Sequence, residues 1–89
     1  MILYVGPELS LPLRSIVAII DAASARRARD TMAFLERARE RNQLREMAGG
    51  EVGSYIVTET AVYACPVSGT ALKRRIERMQ AGSLFDIET

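Results

Sequence analysis

Six cations carry the most legible chemistry in this chain: the pair Arg26-Arg27, the run Lys73-Arg74-Arg75, and Arg78. In the last group, apolar Leu72, Ile76 and Met79 recur at i, i+4 and i+7, which makes one buried helical edge. Arg74 and Arg78 are then stacked one turn apart on a flank, with Lys73 and Arg75 flaring to either side. Only Glu77 dilutes the charge. A guanidinium is a planar fork of donors suited to phosphate and base edges, so an outward row of this kind suits a polyanion. A solubilising helix surface accounts for the same pattern without a partner. Arg37, Arg41 and Arg45 form a second ladder at i, i+4 and i+8. Glu36 and Glu40 interleave there, and a solvated ion-pair face is the better reading.

The inventory for catalysis is poor. The chain has no histidine, which excludes imidazole metal sites and histidine-based triads. A single cysteine excludes an intramolecular disulfide, a redox CxxC pair and a cysteine zinc site. Cys65 lies in an apolar run before Pro66 and reads as a buried thiol. Asp21 ends an apolar run and reads as a turn residue. Neither Gly49-Gly50 nor Gly69-Thr70 is followed by the residues of a phosphate loop. The expectation is a protein that is not an enzyme and holds no metal and no cofactor.

Eighty-nine residues with 48% apolar and 26% charged content make one small soluble domain with a thin core. Self-association is a common supplement to such a core. The formal net charge is +1, yet it is unevenly spread: −1 over residues 1–13, +4 over 14–45, −3 over 46–67, +3 over 68–80 and −2 over 81–89. Two basic segments are thus separated by an acidic one. No run approaches the roughly 18 apolar residues of a membrane span, and no charged n-region precedes an apolar h-region. A cytoplasmic location without membrane association is expected.

The elements that must position these residues follow from period and turn chemistry. Ile2-Leu3-Tyr4-Val5 reads as a strand stopped by Gly6-Pro7, and Leu9-Ser10-Leu11 as a brief second strand ended by Pro12. Ser15-Ile16-Val17-Ala18-Ile19-Ile20-Asp21 is nearly apolar throughout, which predicts cover on both of its faces. Residues 22–29 are ambiguous between helix and loop. Asp30 then suits the N-cap of a helix over 31–41, with Met32, Leu35 and Ala38 as its stripe and Phe34 widening it. A helix starting at Ser24 is the alternative. Asn42 suits the left-handed end of that helix, with Leu44 folding back over the last turn.

Residues 45–53 read as a loop. Residues 54–59 and 61–65 form a hairpin, and Ser68 caps a final helix over 69–80 that Gly82 stops. The expected fold is α+β: a small, mainly antiparallel sheet of about five strands with two helices, in the order β-β-β-α-β-β-α. Both helices lie on one face, and a second subunit covers the other face and the edges. Residues 1–80 make the single domain and 81–89 a C-terminal tail.

Over residues 2–78 the chain resembles the RemA/RemB family of small bacterial regulators of extracellular-matrix genes, and it is closer to the RemB branch. The resemblance rests on Val5-Gly6, the run Ser15 to Asp21, Phe34-Leu35-Glu36-Arg37-Ala38-Arg39 and Ile56-Val57-Thr58. It continues with Val62-Tyr63 and the closing Pro66-Val67-Ser68-Gly69-Thr70-Ala71-Leu72-Lys73-Arg74-Arg75. Ala38-Arg39-Glu40-Arg41-Asn42-Gln43-Leu44 also resembles a stretch of RemA. The resemblance implies a LytTR-like fold, a ring of identical copies, and a cytoplasmic transcription regulator that binds double-stranded DNA at biofilm-matrix genes. RemA-like members carry an arginine pair just before the fourth strand, where this chain has Gly49-Gly50. Their basic residue ahead of the long apolar strand falls at Ser15, beside Arg14. The expected DNA contacts are therefore Lys73, Arg74, Arg75 and Arg78, supplemented by Arg14, Arg26 and Arg27. An oligomeric adaptor acting through protein partners without DNA is the alternative.

Overall fold

The computed structural model describes residues 1–6, 9–47 and 50–88, with side chains as far as residue 80. β1 (Ile2–Gly6) and β2 (Leu9–Pro12) form an antiparallel hairpin. A 3-10 turn at Leu13–Ser15 leads into β3 (Ile16–Asp21), followed by α1 (Ala22–Arg27) and α2 (Arg29–Glu40). Next come β4 (Leu44–Glu46), β5 (Ser54–Thr58), β6 (Val62–Cys65) and α3 (Gly69–Glu88). The last four strands make a separate sheet in the order β3-β5-β6-β4, in which β4 runs parallel to β6 and the other pairs are antiparallel. The class is α+β, as expected. In place of one mainly antiparallel sheet of about five strands, the described residues form six strands in two sheets.

Period-two alternation decides the layering. Ile56 of β5 and Cys65 of β6 are buried with Leu3, Val5, Leu11 and Leu72. Their neighbours Tyr55, Val57 and Val62 turn to the other side, where Ala25, Leu35 and Ala38 close a second core. Ile19 and Ile20 of β3 divide between the two cores in the same way. So the hairpin and α3 cover one face of the larger sheet, and α1 with α2 cover the other. The expectation of both helices on one face, with a second subunit over the other, is corrected. These strands are apolar on both pleat faces, and each face takes its own helical stripe from within the chain. The cover does not reach all of β3. Val17 is 66% exposed and Ala18 is exposed too, because β3 is an edge strand.

Local signals explain most of the element ends. Asn42 sits at φ 58°, the Asn42 N–H donates to the Arg39 carbonyl (3.1 Å) and the Gln43 N–H to the Ala38 carbonyl (2.8 Å). These two bonds are the Schellman closure of a helix, and Leu44 packs back beside it. Ser68 caps α3 as its type suggests, its Oγ accepting from the Ala71 N–H at 3.2 Å. Leu72 is fully buried, and Ile76 and Met79 pack beside it, in agreement with their spacing.

Other expectations fail. Residues 22–27 form a helix of their own, separated from α2 by Ala28 in an extended conformation. Asp30 lies in the first turn of α2 and does not cap it. Of the predicted α2 stripe, Leu35 and Ala38 are buried while Met32 and Phe34 are exposed. Residues 44–46, split between helix end and loop in the sequence reading, pair with Val62, Tyr63 and Ala64 as β4. Gly82 does not stop α3, whose backbone continues to Glu88. An interior glycine costs a helix only about 1 kcal/mol relative to alanine, and no proline follows it.

One end of the larger sheet is a polar junction. The Asp21 carboxylate accepts from the Ala23 N–H at 3.3 Å, capping α1, and from the Gly69 N–H at 3.2 Å, at the start of α3. Between these, Gly53 donates its N–H to the Cys65 carbonyl (2.8 Å) and accepts from the Ala22 N–H (3.0 Å). The fully buried Ser54 hydroxyl donates to the Val67 carbonyl at 2.7 Å. A Cβ on Gly53 would meet backbone atoms of Pro66, Val67 and Ser68 at 2.7–2.9 Å, so only glycine fits there. Asp21→Ala removes caps from two helices and is expected to cost about 2 kcal/mol in urea unfolding. Ser68→Ala, which removes one cap, should cost about half of that. Equal losses for the two variants would show that Asp21 serves α1 alone.

Candidate nucleic-acid interface

The buried edge Leu72, Ile76 and Met79 fixes the azimuth of every other side chain on α3, at about 100° per residue. Lys73 falls on the flank toward β3. There it lines an open groove with Ile19, Asp21, Thr70, Glu77 and Gln80. Arg74 and Arg78 point outward, one turn apart, and are exposed. Among the described residues no carboxylate pairs with Lys73, Arg74 or Arg78, and the ion pairs present involve Arg39 with Glu36 (3.9 Å) and Glu46 (3.5 Å). The charge that interrupts this row is Glu77, on the β3 side.

Arg75 behaves differently. Its Nη1 donates to the Tyr4 carbonyl in β1 at 3.0 Å, across 71 residues of sequence. The hairpin register pairs Leu3 with Leu11 and Tyr4 with Ser10, and the Leu13 N–H bonds to the Met1 carbonyl. By antiparallel alternation, the backbone groups of Tyr4 therefore face away from β2. Arg75 fills one of these outward acceptors and ties α3 to the hairpin. Nothing in the local sequence signals this role, because the partner is a main-chain oxygen far away in the chain.

The remaining expected contacts do not join this surface. Arg14 is exposed in the 3-10 turn, near Thr58, Glu59 and Thr60. That places it at the end of β3 opposite the Asp21 junction, roughly 17 Å away along a six-residue strand. Arg26 and Arg27 occupy the last turn of α1, whose Ala25 packs into the core on the other face of the sheet. A protomer thus presents cations on both helical layers. The second ladder is broken, since Arg45 lies in β4 and its Nη1 donates to the Asn42 carbonyl at 2.8 Å. Gly50, exposed at φ 104°, offers no side chain where the RemA-like pattern places an arginine. Its partner in the motif, Gly49, lies outside the described residues.

Other chemistry is sparse. The Cys65 sulfur is buried and accepts from the Val67 N–H at 3.4 Å. No three His, Cys, Asp or Glu side chains gather at metal-binding distances among the described residues. Among the described residues, no helix is long and apolar enough to cross a membrane. What the α3 surface can do is hold several anionic oxygens along one line through cations that are exposed and, among the described residues, without a carboxylate partner.

The division of labour on α3 has a measurable signature. Arg75→Ala should lower stability by about 0.5–1 kcal/mol, the worth of an exposed charge-assisted hydrogen bond. Arg74→Ala should change it by less than about 0.5 kcal/mol, as for a free surface side chain. Indistinguishable urea midpoints for the two variants would remove the assigned role of Arg75. No protein-family model matches the chain, and no curated protein matches it significantly.

Proposed function

We propose that the chain is a homo-oligomeric DNA-binding regulator that grips the phosphates of double-stranded DNA through the outward face of α3. The observation that carries this reading is the row Lys73, Arg74 and Arg78, exposed and free of carboxylate partners among the described residues. Arg75 contributes field more than contact, since its guanidinium is engaged by β1. Arg14, Arg26 and Arg27 supplement the grip from neighbouring copies, because on one protomer Arg26 and Arg27 lie in the opposite helical layer. The RemA/RemB resemblance supplies the finer reading: a LytTR-like domain, a cytoplasmic ring, and extracellular-matrix genes as targets. Asp21, which lines the open groove beside α3, already accepts two helix N–H groups, and that engagement favours binding over catalysis at this groove.

Self-association is supported by the outer faces of the strands. Ile2 is 49% exposed, Tyr4 69% and Val17 66%, a large share of bare apolar surface for so small a domain. The solution mass should exceed that of one protomer, and Ile2→Asp/Tyr4→Asp should lower it toward the monomer. A parent protein that sediments as a monomer at assay concentration would end this part of the proposal.

Three phosphate contacts per copy give a salt slope of about −2.7, or roughly forty-fold weaker binding between 50 and 200 mM salt. Several copies on one scaffold multiply such contacts through effective concentration. Arg74→Ala/Arg78→Ala should flatten the slope by about 1.8 and weaken binding similarly on all sequences, as phosphate contacts do. Binding equal to the parent at every salt concentration would refute the assigned surface. The adaptor reading draws on Gly50, which leaves the RemA-type contact position bare. It is favoured by intact assembly with no mobility shift on any duplex at low salt.

A further inference from the structure

A pocket lies between the second half of α2 and the β5–β6 turn, away from α3. Its floor is apolar, made by the buried Ala38, Ala61 and Val62. Phe34 forms a wall and is 36% exposed, which is unusual for a phenylalanine with a core so near. The rim carries Arg37 of α2, Arg41 at its C-cap and Glu59 from the turn. No hydrogen bond or ion pair to the side chains of these three groups exists among the described residues. The Thr58 hydroxyl inside the pocket is already satisfied: it donates to the Ala61 carbonyl (2.9 Å) and accepts from the Ala61 N–H (3.1 Å). The other polar side chains of the lining, Gln43 and Thr60, are neutral, so the charged groups are two cations and one anion around an apolar floor.

We infer that this pocket binds a small aliphatic α-amino acid. Its side chain rests on Ala38, Ala61 and Val62 against Phe34, its carboxylate is held by Arg37 and Arg41, and its ammonium group by Glu59. The size agrees. A volume of about 170 Å³ equals the share of about six liquid waters, enough for a branched aliphatic side chain with the head group left at the rim. It is below the roughly 300–1,000 Å³ of pockets that take drug-sized ligands, which suits a small molecule. Inorganic phosphate would leave the apolar floor wet and Glu59 without a donor. A zwitterion pairs all three charges, and the paired Arg37 and Arg41, one helical turn apart, match the two oxygens of a carboxylate.

The test uses the full chain and L-leucine as probe, followed by amide chemical shifts. Saturable shifts are expected at Gln43, Ala61 and Val62, with those of α3 unmoved. Leucinamide, lacking the carboxylate, and N-acetylleucine, lacking the ammonium, should each bind at least about tenfold more weakly, the worth of one charge-assisted pair. Arg37→Gln and Glu59→Gln should each weaken leucine about tenfold while leaving the rest of the spectrum in place. Absence of saturable shifts up to about 10 mM leucine, beyond the weak end of specific affinity, would overturn the inference. So would equal binding of inorganic phosphate, or undiminished leucine binding by both variants. The outcome is independent of whether α3 binds DNA.

Discussion

The close approach of Gly53 to the Pro66–Ser68 backbone, beside an Asp21 carboxylate that accepts from the first turns of both α1 and α3, is the constraint on which the rest of the arrangement depends. A helix start leaves several N–H groups unsatisfied, and an anion placed there meets both the donors and the positive end of the helix dipole. Here one carboxylate serves two such starts, one beside it in sequence and one 48 residues away. α1 and α3 therefore begin at the same end of the same sheet, on opposite faces. Ser54 adds the only buried polar side chain of the described core and uses it to hold Val67, so the link from β6 into α3 is held from two directions.

From that anchor the surface of α3 follows almost geometrically. Once Leu72 is pinned in the core, the helical period sends Arg74 and Arg78 outward and Lys73 and Arg75 to opposite flanks. The flanks then diverge in use. On one side the nearest acceptor is a strand carbonyl, and Arg75 takes it; on the other the groove against β3 leaves Lys73 in water. An exposed arginine near an open strand edge does structural work because an outward carbonyl has no other partner. The same logic takes Arg45 out of its ladder, where it caps the left-handed turn that ends α2.

The two helical layers also separate two kinds of chemistry. The α3 face is mainly basic, interrupted by Glu77 on its β3 side, and suits a long polyanion met by many weak contacts. The α2 layer is mixed in sign and bounded by a turn, which encloses a small space and favours a compact zwitterion. A sheet apolar on both faces is what permits this: each face buries its own helix, and each helix is left with an independent outer surface.

The sequence by itself determined the α+β class, the hairpin of β5 and β6, the Schellman end at Asn42, the Ser68 cap and the buried edge of α3. Each of these is encoded within a few residues, as a period, a cap or a turn preference. Only the tertiary structure decided that the helices lie on opposite faces, that β4 joins the sheet in parallel, and that Asp21 serves Gly69. It also decided which cations remain free: Arg75 and Arg45 look like their neighbours in sequence, and the carbonyls they bind are identified only by the pairing of strands and the close of a helix. A three-residue parallel strand has no period to read, and a carboxylate 48 residues from its donor leaves no mark in local composition. Such features belong to the global minimum of packing and hydrogen-bond satisfaction, where distant segments compete for the same few donors and acceptors.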